Sequence, residues 1–488
     1  MVFFTNLVTK QFEIMCDFSQ KKITVLFFFF CCVVSFSQEL PPINIFTTDD
    51  YGAENQNWAI SQSENGFLYV ANNLGLLEFN GASWQLYQTP NKTIMRSVRA
   101  SEDKIFTGFY MDFGFWKKNK QGILEYSSVV KDNNVKMIED EQIWKIIEIE
   151  GWLLFKSLQR IYLYNIASKE IKIINGENRI HTLSKVNDVI YFQEDKKGVF
   201  KIENGTPTLI SDAPVFKENI IVDFFEKENA LLVLTQKKGF YLLNDKKVTK
   251  WKLPSSILEN KTIYSAIKLT NNTFLLGSIS NGVINLNQNG SVKYQVNKSS
   301  GLSNNTILSA YEDKNNNIWL GLDNGINCIN NASVFKKGNE KSDYLGTIYT
   351  SIVYNKNLYL GTNQGLFYRN IKSKDSFQLI KNTQGQVWSL TQIDGALFCG
   401  HDSGTFLIEK NQAKQIFDKQ GTWNVKKINE TTMLQGCYDG LYILEKKNQT
   451  WVLKNKINGF ENSSKHVVLA KNKIFVNHEY KGVFKIYV

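Results

Sequence analysis

Proline and cysteine are scarce in this chain of 488 residues, six of each, and histidine occurs four times. So little proline excludes collagen-like and proline-rich linker architectures, and so few cysteines for this length exclude a disulfide-built scaffold. Helical periodicity is nearly absent. After residue 38 no apolar run approaches the roughly 20 residues a spanning helix needs. No G-x-S-x-G, HExxH, glycine-rich phosphate loop or CxxC motif occurs. His181, His401, His466 and His478 stand in separate segments, so neither a metal cluster nor a catalytic triad is indicated. No catalytic residue, metal or cofactor is therefore expected, and the chain reads as a non-enzyme. Arginine is confined to Arg96, Arg99, Arg160, Arg179 and Arg369. The formal charge is +11, yet the lysines are scattered as singles and pairs, which fits a solvated surface. With no basic block and no recognition helix, no nucleic acid partner is expected. What the chain does have is 43% apolar and 13% aromatic residues, enough for extensive folded cores.

Residues 23–34 read ITVLFFFFCCVV, preceded by Lys21 and Lys22 and followed by Ser35-Phe36-Ser37, the layout of a secretory leader with small residues before its cleavage site. A leader over 1–37 is expected, with Met15 as an alternative start, and the mature protein is placed in the periplasm or outside the cell. Cleavage removes Cys16, Cys31 and Cys32. Cys328, Cys399 and Cys437 remain; buried free thiols are expected, although Cys399 and Cys437 occupy corresponding points of neighbouring repeats where a bridge is geometrically open.

One pattern recurs from end to end: an alternating apolar stretch, a polar turn, a second such stretch, then glycine and an aromatic-apolar tail. Examples are ENGFLYVANNLGLLEFN (64–80), KNNNIWLGLDNGINCIN (314–330) and YNKNLYLGTNQGLFYRN (354–370). Gly75, Gly114, Gly198, Gly239, Gly282, Gly325, Gly365, Gly404, Gly440 and Gly482 mark the register, with Arg160 in the one repeat that lacks it. Period-two alternation broken at Asn, Asp and Gly specifies short antiparallel strands and tight turns. About 40 residues holding four short strands make one propeller blade. The fold class is all-β, a β-propeller. First strands open at Trp58, Arg96, Trp144, His181, Val222, Tyr264, Leu308, Tyr349, Trp388, Trp423 and His466. These divide into a complete seven-bladed ring over 38–347, closed by a strand from Ile43 to Phe46, and a second, incomplete ring of about four blades over 348–488. The last blade lacks its outer strand, so truncation within the second propeller is expected.

In a propeller the starts of the innermost strands and the loops between second and third strands crowd the channel mouth. The candidate ligand-binding residues are accordingly Trp58, Asn72, Arg96, Tyr110, Trp144, His181, Tyr264, Trp388, His401 and Tyr438. Aromatic faces stack on sugar rings and other planar ligands, while amides and charges fix orientation. Equally, a tryptophan on an inner strand can simply pack between blades.

The repeat, as in NNNIWLGLDNGI (315–326), resembles the two-component-regulator propeller repeat of large periplasmic sensors of Bacteroidota. YGAENQNWAISQSENGFLYVANNLGLLEFNGASWQLY (51–87) and RSVRASEDKIFTGFYMDFGFW (96–116) resemble the opening blades of flavobacterial sensor proteins that carry a LuxR-type helix-turn-helix. The resemblance implies exported sensor propellers followed, in that family, by a further β domain, a membrane helix, a coiled coil and a DNA-binding domain, none of which this sequence reaches. A membrane anchor would belong to a longer product. The expected function is non-catalytic sensing of a small molecule or oligosaccharide by the exported part of a transcription regulator, with homodimerisation open. The alternatives are a secreted protein-interaction scaffold and a propeller glycosidase or lyase.

Overall fold

In the computed structural model the described residues are 39–487, apart from 336, 339–343, 374 and 472. The leader expected over 1–37 lies outside them. The described chain forms two compact units, one from Glu39 to Lys337 and one from Gly338 onward.

The first unit is built from seven four-stranded antiparallel sheets. Their innermost strands are Asn57–Gln62, Met95–Ser101, Lys145–Ile149, Ile180–Val186, Ile221–Lys227, Ile263–Lys268 and Ile307–Glu312, in blades 1 to 7. Each touches the next in chain order, and Ile307–Glu312 touches Asn57–Gln62, which closes the ring. Blade 7 takes its fourth strand from the start of the chain: Ile43–Phe46 pairs antiparallel with Ile326–Ile329.

The second strands read as nearly continuous apolar runs because both faces of each blade are covered. In Trp152–Lys156 of blade 3, Leu153 and Phe155 point into a core shared with Phe106 and Phe113 of blade 2. Leu154 points the other way, to Ile180, Leu183 and Phe192 of blade 4. One strand thus feeds two inter-blade cores, each gaining about 25 cal/mol per Å² of apolar surface removed from water.

In the second unit the inner strands Ile348–Tyr354, Val387–Ile393, Thr422–Asn429 and His466–Ala470 follow one another in the same way. The first three head four-stranded sheets and the last a three-stranded one. The two units divide between Lys337 and Gly338, and Leu345 is buried against Leu360, Phe367 and Phe377 of the second unit.

The glycine register marks adopt positive φ at every position except Gly114. At Gly404 φ is 134°, and an added Cβ would stand 2.0 Å from the Phe417 carbonyl oxygen. Gly404→Ala should therefore cost the second unit about 2–4 kcal/mol, combining backbone strain and a steric clash. A urea midpoint for that unit unchanged from the parent would refute this.

Cys328, Cys399 and Cys437 are all buried and unbridged. Burial raises the thiol pKa of Cys328 to about 12 and of Cys437 to about 11, so neither reacts as a thiolate near neutral pH.

Candidate functional site

In six of the seven first-ring blades the innermost strand starts with a break in register. Pairing skips from Asn57 to Ala59, from Met95 to Ser97, from Ile221 to Asp223, from Ile263 to Ser265 and from Ile307 to Ser309. In blade 4 it skips from Ile180 to Leu183. The skipped residues, Trp58, Arg96, Val222, Tyr264, Leu308 and the His181-Thr182 pair, have no partner opposite them, and a bulge turns such side chains out of the ladder. In blade 3 Trp144 stands just before its strand, its backbone N–H donating to the Lys156 carbonyl at 2.8 Å. All these residues line one cavity of about 510 Å³, walled by all seven blades.

The cavity therefore brings together Trp58, Arg96, Trp144, His181 and Tyr264. The Arg96 guanidinium carbon lies 3.9 Å from the Trp58 ring centroid and 4.6 Å from that of Trp144. The two indoles meet edge to face at 6.1 Å. Arg96 Nε donates to Gln142 Oε1 at 3.1 Å, and Trp58 Nε1 donates to Asn73 Oδ1 at 2.8 Å. Arg96 Nη1 and Trp144 Nε1 are buried with no acceptor among the described residues. Burial lowers the His181 pKa, partly opposed by Asp195 at 3.6 Å, while Arg179 and Lys156 push it further down. Its surroundings thus favour the neutral imidazole.

Two lining residues were not singled out from sequence. Lys156 is 3% exposed, and its ammonium donates to the His181 carbonyl at 3.1 Å. Burial, then the positive charges of Lys145 and Arg179, lower its pKa to about 7. Arg179, exposed at the mouth, precedes the inner strand of blade 4. The available signal for Lys156 was a cation ending the apolar run WLLFK, where the equivalent second strands end in Asn72, Phe109, Glu194, Thr235, Ser278 and Leu322.

Asn72 and Tyr110 belong elsewhere. Asn72 is fully buried, its amide donating to the carbonyls of Glu54 and Gln56 and to Asn57 Oδ1, and its oxygen accepting from the backbone of Glu54 and Leu74. It is a structural cross-link and has no capacity left for a ligand. Tyr110 lies outside the cavity, its hydroxyl donating to Asp140 Oδ1 at 2.5 Å.

The second unit gathers its own aromatic cluster by the same bulge at Tyr349, Trp388 and Trp423. Ring centroids run 4.9 Å from Tyr349 to Trp388, 4.8 Å to Trp423 and 4.9 Å on to Tyr438, and Trp388 Nε1 donates to the Tyr438 hydroxyl at 2.8 Å. His401 is instead core: it is 1% exposed, with Nε2 3.2 Å from the Thr383 carbonyl and Nδ1 accepting from the Ser403 backbone N–H. Among the described residues no group of three His, Cys, Asp or Glu could hold a metal, and no helix is long and apolar enough to cross a membrane.

Residues 301–324 match the family model "Two component regulator propeller". A search of curated proteins gives no match. Among solved structures, one similar fold is an extracellular domain assigned to the hybrid two component system BT3049 of B. thetaiotaomicron, with TM-score 0.67 and 16% identity over 92% of this chain and 65% of that one. Another is an extracellular domain assigned to a one component system of the same organism, BT4673, with TM-score 0.49 and 15% identity over 91% and 66%. A third is PorZ, a surface component of the type-IX secretion system of Porphyromonas gingivalis, with TM-score 0.42 and 10% identity over 91% and 68%. The chain thus spans just under two thirds of the first two domains. The first of these likenesses agrees with the sheet topology: the fold is a β-propeller.

Proposed function

We propose that this chain is the exported, ligand-sensing propeller region of a one-component or two-component-type transcription regulator, responding to a small molecule such as a glycan without turning it over. The observation that carries the reading is the first-ring cavity, into which bulges on the inner strands turn Trp58, Arg96, His181 and Tyr264, with Trp144 beside them. A ring fold needs no such residues there; small apolar ones would fill the space. The match at 301–324 to a repeat named for two-component regulators supports the signalling context, and the extracellular setting of the BT3049 domain supports export to the periplasm or beyond. Among the described residues the carboxylate lining the cavity is that of Asp223, 3.7 Å from Lys145 and hydrogen-bonded by Ser184.

The test is a thermal-shift titration of the chain with a panel of neutral and acidic oligosaccharides. Binding at a hundredfold excess over Kd is worth about 2.7 kcal/mol, a readily measured rise in Tm. A saturable shift that Trp144→Ala removes is the expected result. No saturable shift with any member of the panel would favour the scaffold reading.

A further inference from the structure

The walls of the first-ring cavity carry an unbalanced charge. Its lining includes Arg96, Arg99, Lys145, Lys156 and Arg179 against the single carboxylate of Asp223. Arg99 is matched by Glu148 at 3.2 Å and Lys145 by Asp223 at 3.7 Å. Arg96, Lys156 and Arg179 have no carboxylate within ion-pair distance among the described residues. They stand on blades 2, 3 and 4, so they form one contiguous wall. Lys156 and Trp144 are tied through the backbone at 2.8 Å, and Trp144 lies against Arg96. Both Arg96 and Arg179 act electrostatically on the Tyr264 hydroxyl, so their fields overlap across the cavity.

A buried cation without a counter-charge costs folding free energy, and proteins ordinarily pair such groups. Lys156 is such a group; with the half-buried Arg96, the exposed Arg179 and the unmatched donors Arg96 Nη1 and Trp144 Nε1 around the same cavity, it forms a set of donors that a bound oxyanion would complete. Guanidinium and indole N–H groups suit carboxylate, sulfate and phosphate oxygens alike, and charge-assisted bonds of this kind are about twice as strong as neutral ones. The half-exposed indoles of Trp58 and Trp144 beside the wall offer an apolar surface for the rest of the ligand.

We propose that the first-ring cavity is selective for anionic ligands, binding a small molecule whose carboxylate, sulfate or phosphate group is held by Arg96, Lys156 and Arg179 while its ring packs on Trp58 and Trp144. This rests on the sensing role assigned above and names its ligand class. For a glycan, the ligand is a uronate-bearing or sulfated sugar.

The experiment is calorimetric titration of the full chain with inorganic sulfate, inorganic phosphate, glucuronate, a sulfated uronate disaccharide and uncharged glucose and cellobiose, at 20 and 300 mM salt. The expected result is saturable binding of one or more of the anions, weakened at least tenfold by Arg179→Gln and by Arg96→Gln, weakened by salt, and absent for the neutral sugars. The arms separate carboxylate, sulfate and phosphate as the preferred group. Arg179 is exposed, so its substitution leaves the core intact and the test does not hinge on the Arg96 variant folding. Neutral sugars binding as tightly as acidic ones would overturn the anionic selectivity and leave the sensing role standing. Binding of no probe at all would overturn the selectivity and count against the sensing role as well.

Discussion

Phe46→Ala is expected to destabilise the first ring by about 2–4 kcal/mol, the usual cost of truncating a large, mostly buried aromatic side chain. Phe46 lies on the strand that completes blade 7, stacked 5.7 Å from Trp319 of that blade. It also meets Phe79 at 5.4 Å and Trp84 at 5.5 Å, both of blade 1. Every other blade meets a neighbour adjacent in sequence. Here alone the ring joins residues more than 250 positions apart, through Asn57 Nδ2 donating to the Gly325 carbonyl and Gln56 Nε2 donating to Asp323 Oδ1. Contacts that close such a long loop meet the largest chain-entropy cost, so the ring opens there first when the closing strand is weakened. Urea unfolding followed by tryptophan fluorescence measures the loss. Amide exchange should show blades 1 and 7 losing protection before blade 4. A loss below about 0.5 kcal/mol, within the range of a neutral surface substitution, would mean that blade-to-blade packing closes the ring without help from this aromatic cluster.

The closing strand was legible because INIF at 43–46 is a strand pattern with no blade of its own, and a seventh blade with three strands needed a fourth. Blade openings were legible for a related reason. Repeats align by their turn residues, and alignment places Trp58, Arg96, Trp144, His181 and Tyr264 at one position even though the bulge that makes this position special has no sequence signature. What alignment could not do was separate two neighbouring positions. Asn72, His401 and Lys156 all end second strands and all pair with the first residue of an inner strand, opposite Asn57, Val387 and Lys145. That register is buried: Asn72 and Thr235 are 0% exposed, and His401 is 1% exposed. Polarity at such a place looks like a ligand contact in the sequence, yet for Asn72 and His401 it is spent on hydrogen bonds within the fold. Lys156 shares the register and differs because its surroundings supply no carboxylate and its side chain borders the cavity. Scattered lysines suggested a uniformly solvated charge. The concentration of Arg96, Lys156 and Arg179 on one wall arises only when the ring brings together residues up to 83 positions apart, and no linear pattern records it.

Lys156→Met is expected to make the ring more stable, by about 2–4 kcal/mol at pH 6, because it removes an ammonium that burial and like charges disfavour. The Lys156 pKa is about 7 in the fold against 10.5 for a free lysine. Below pH 7 both folded and unfolded chains hold the proton and the full penalty applies. Between pH 7 and 10.5 the unfolded chain binds a proton that the folded chain does not, so the stability of the parent rises with pH across that window. Methionine does not titrate. The advantage of the variant should therefore be constant below pH 7 and should vanish by about pH 10.5, leaving only the lost hydrogen bond to the His181 carbonyl. Urea midpoints of both proteins at pH 6, 8 and 10 measure this, and a pH-independent difference would show that the ammonium is not under strain. Binding sites commonly give up stability in this way, and such a trade at Lys156 would fit the anion site proposed above. An anion in the cavity would reverse the ranking: with the charge neutralised, the parent should gain stability from the ligand that the methionine variant cannot, and its Lys156 pKa should rise.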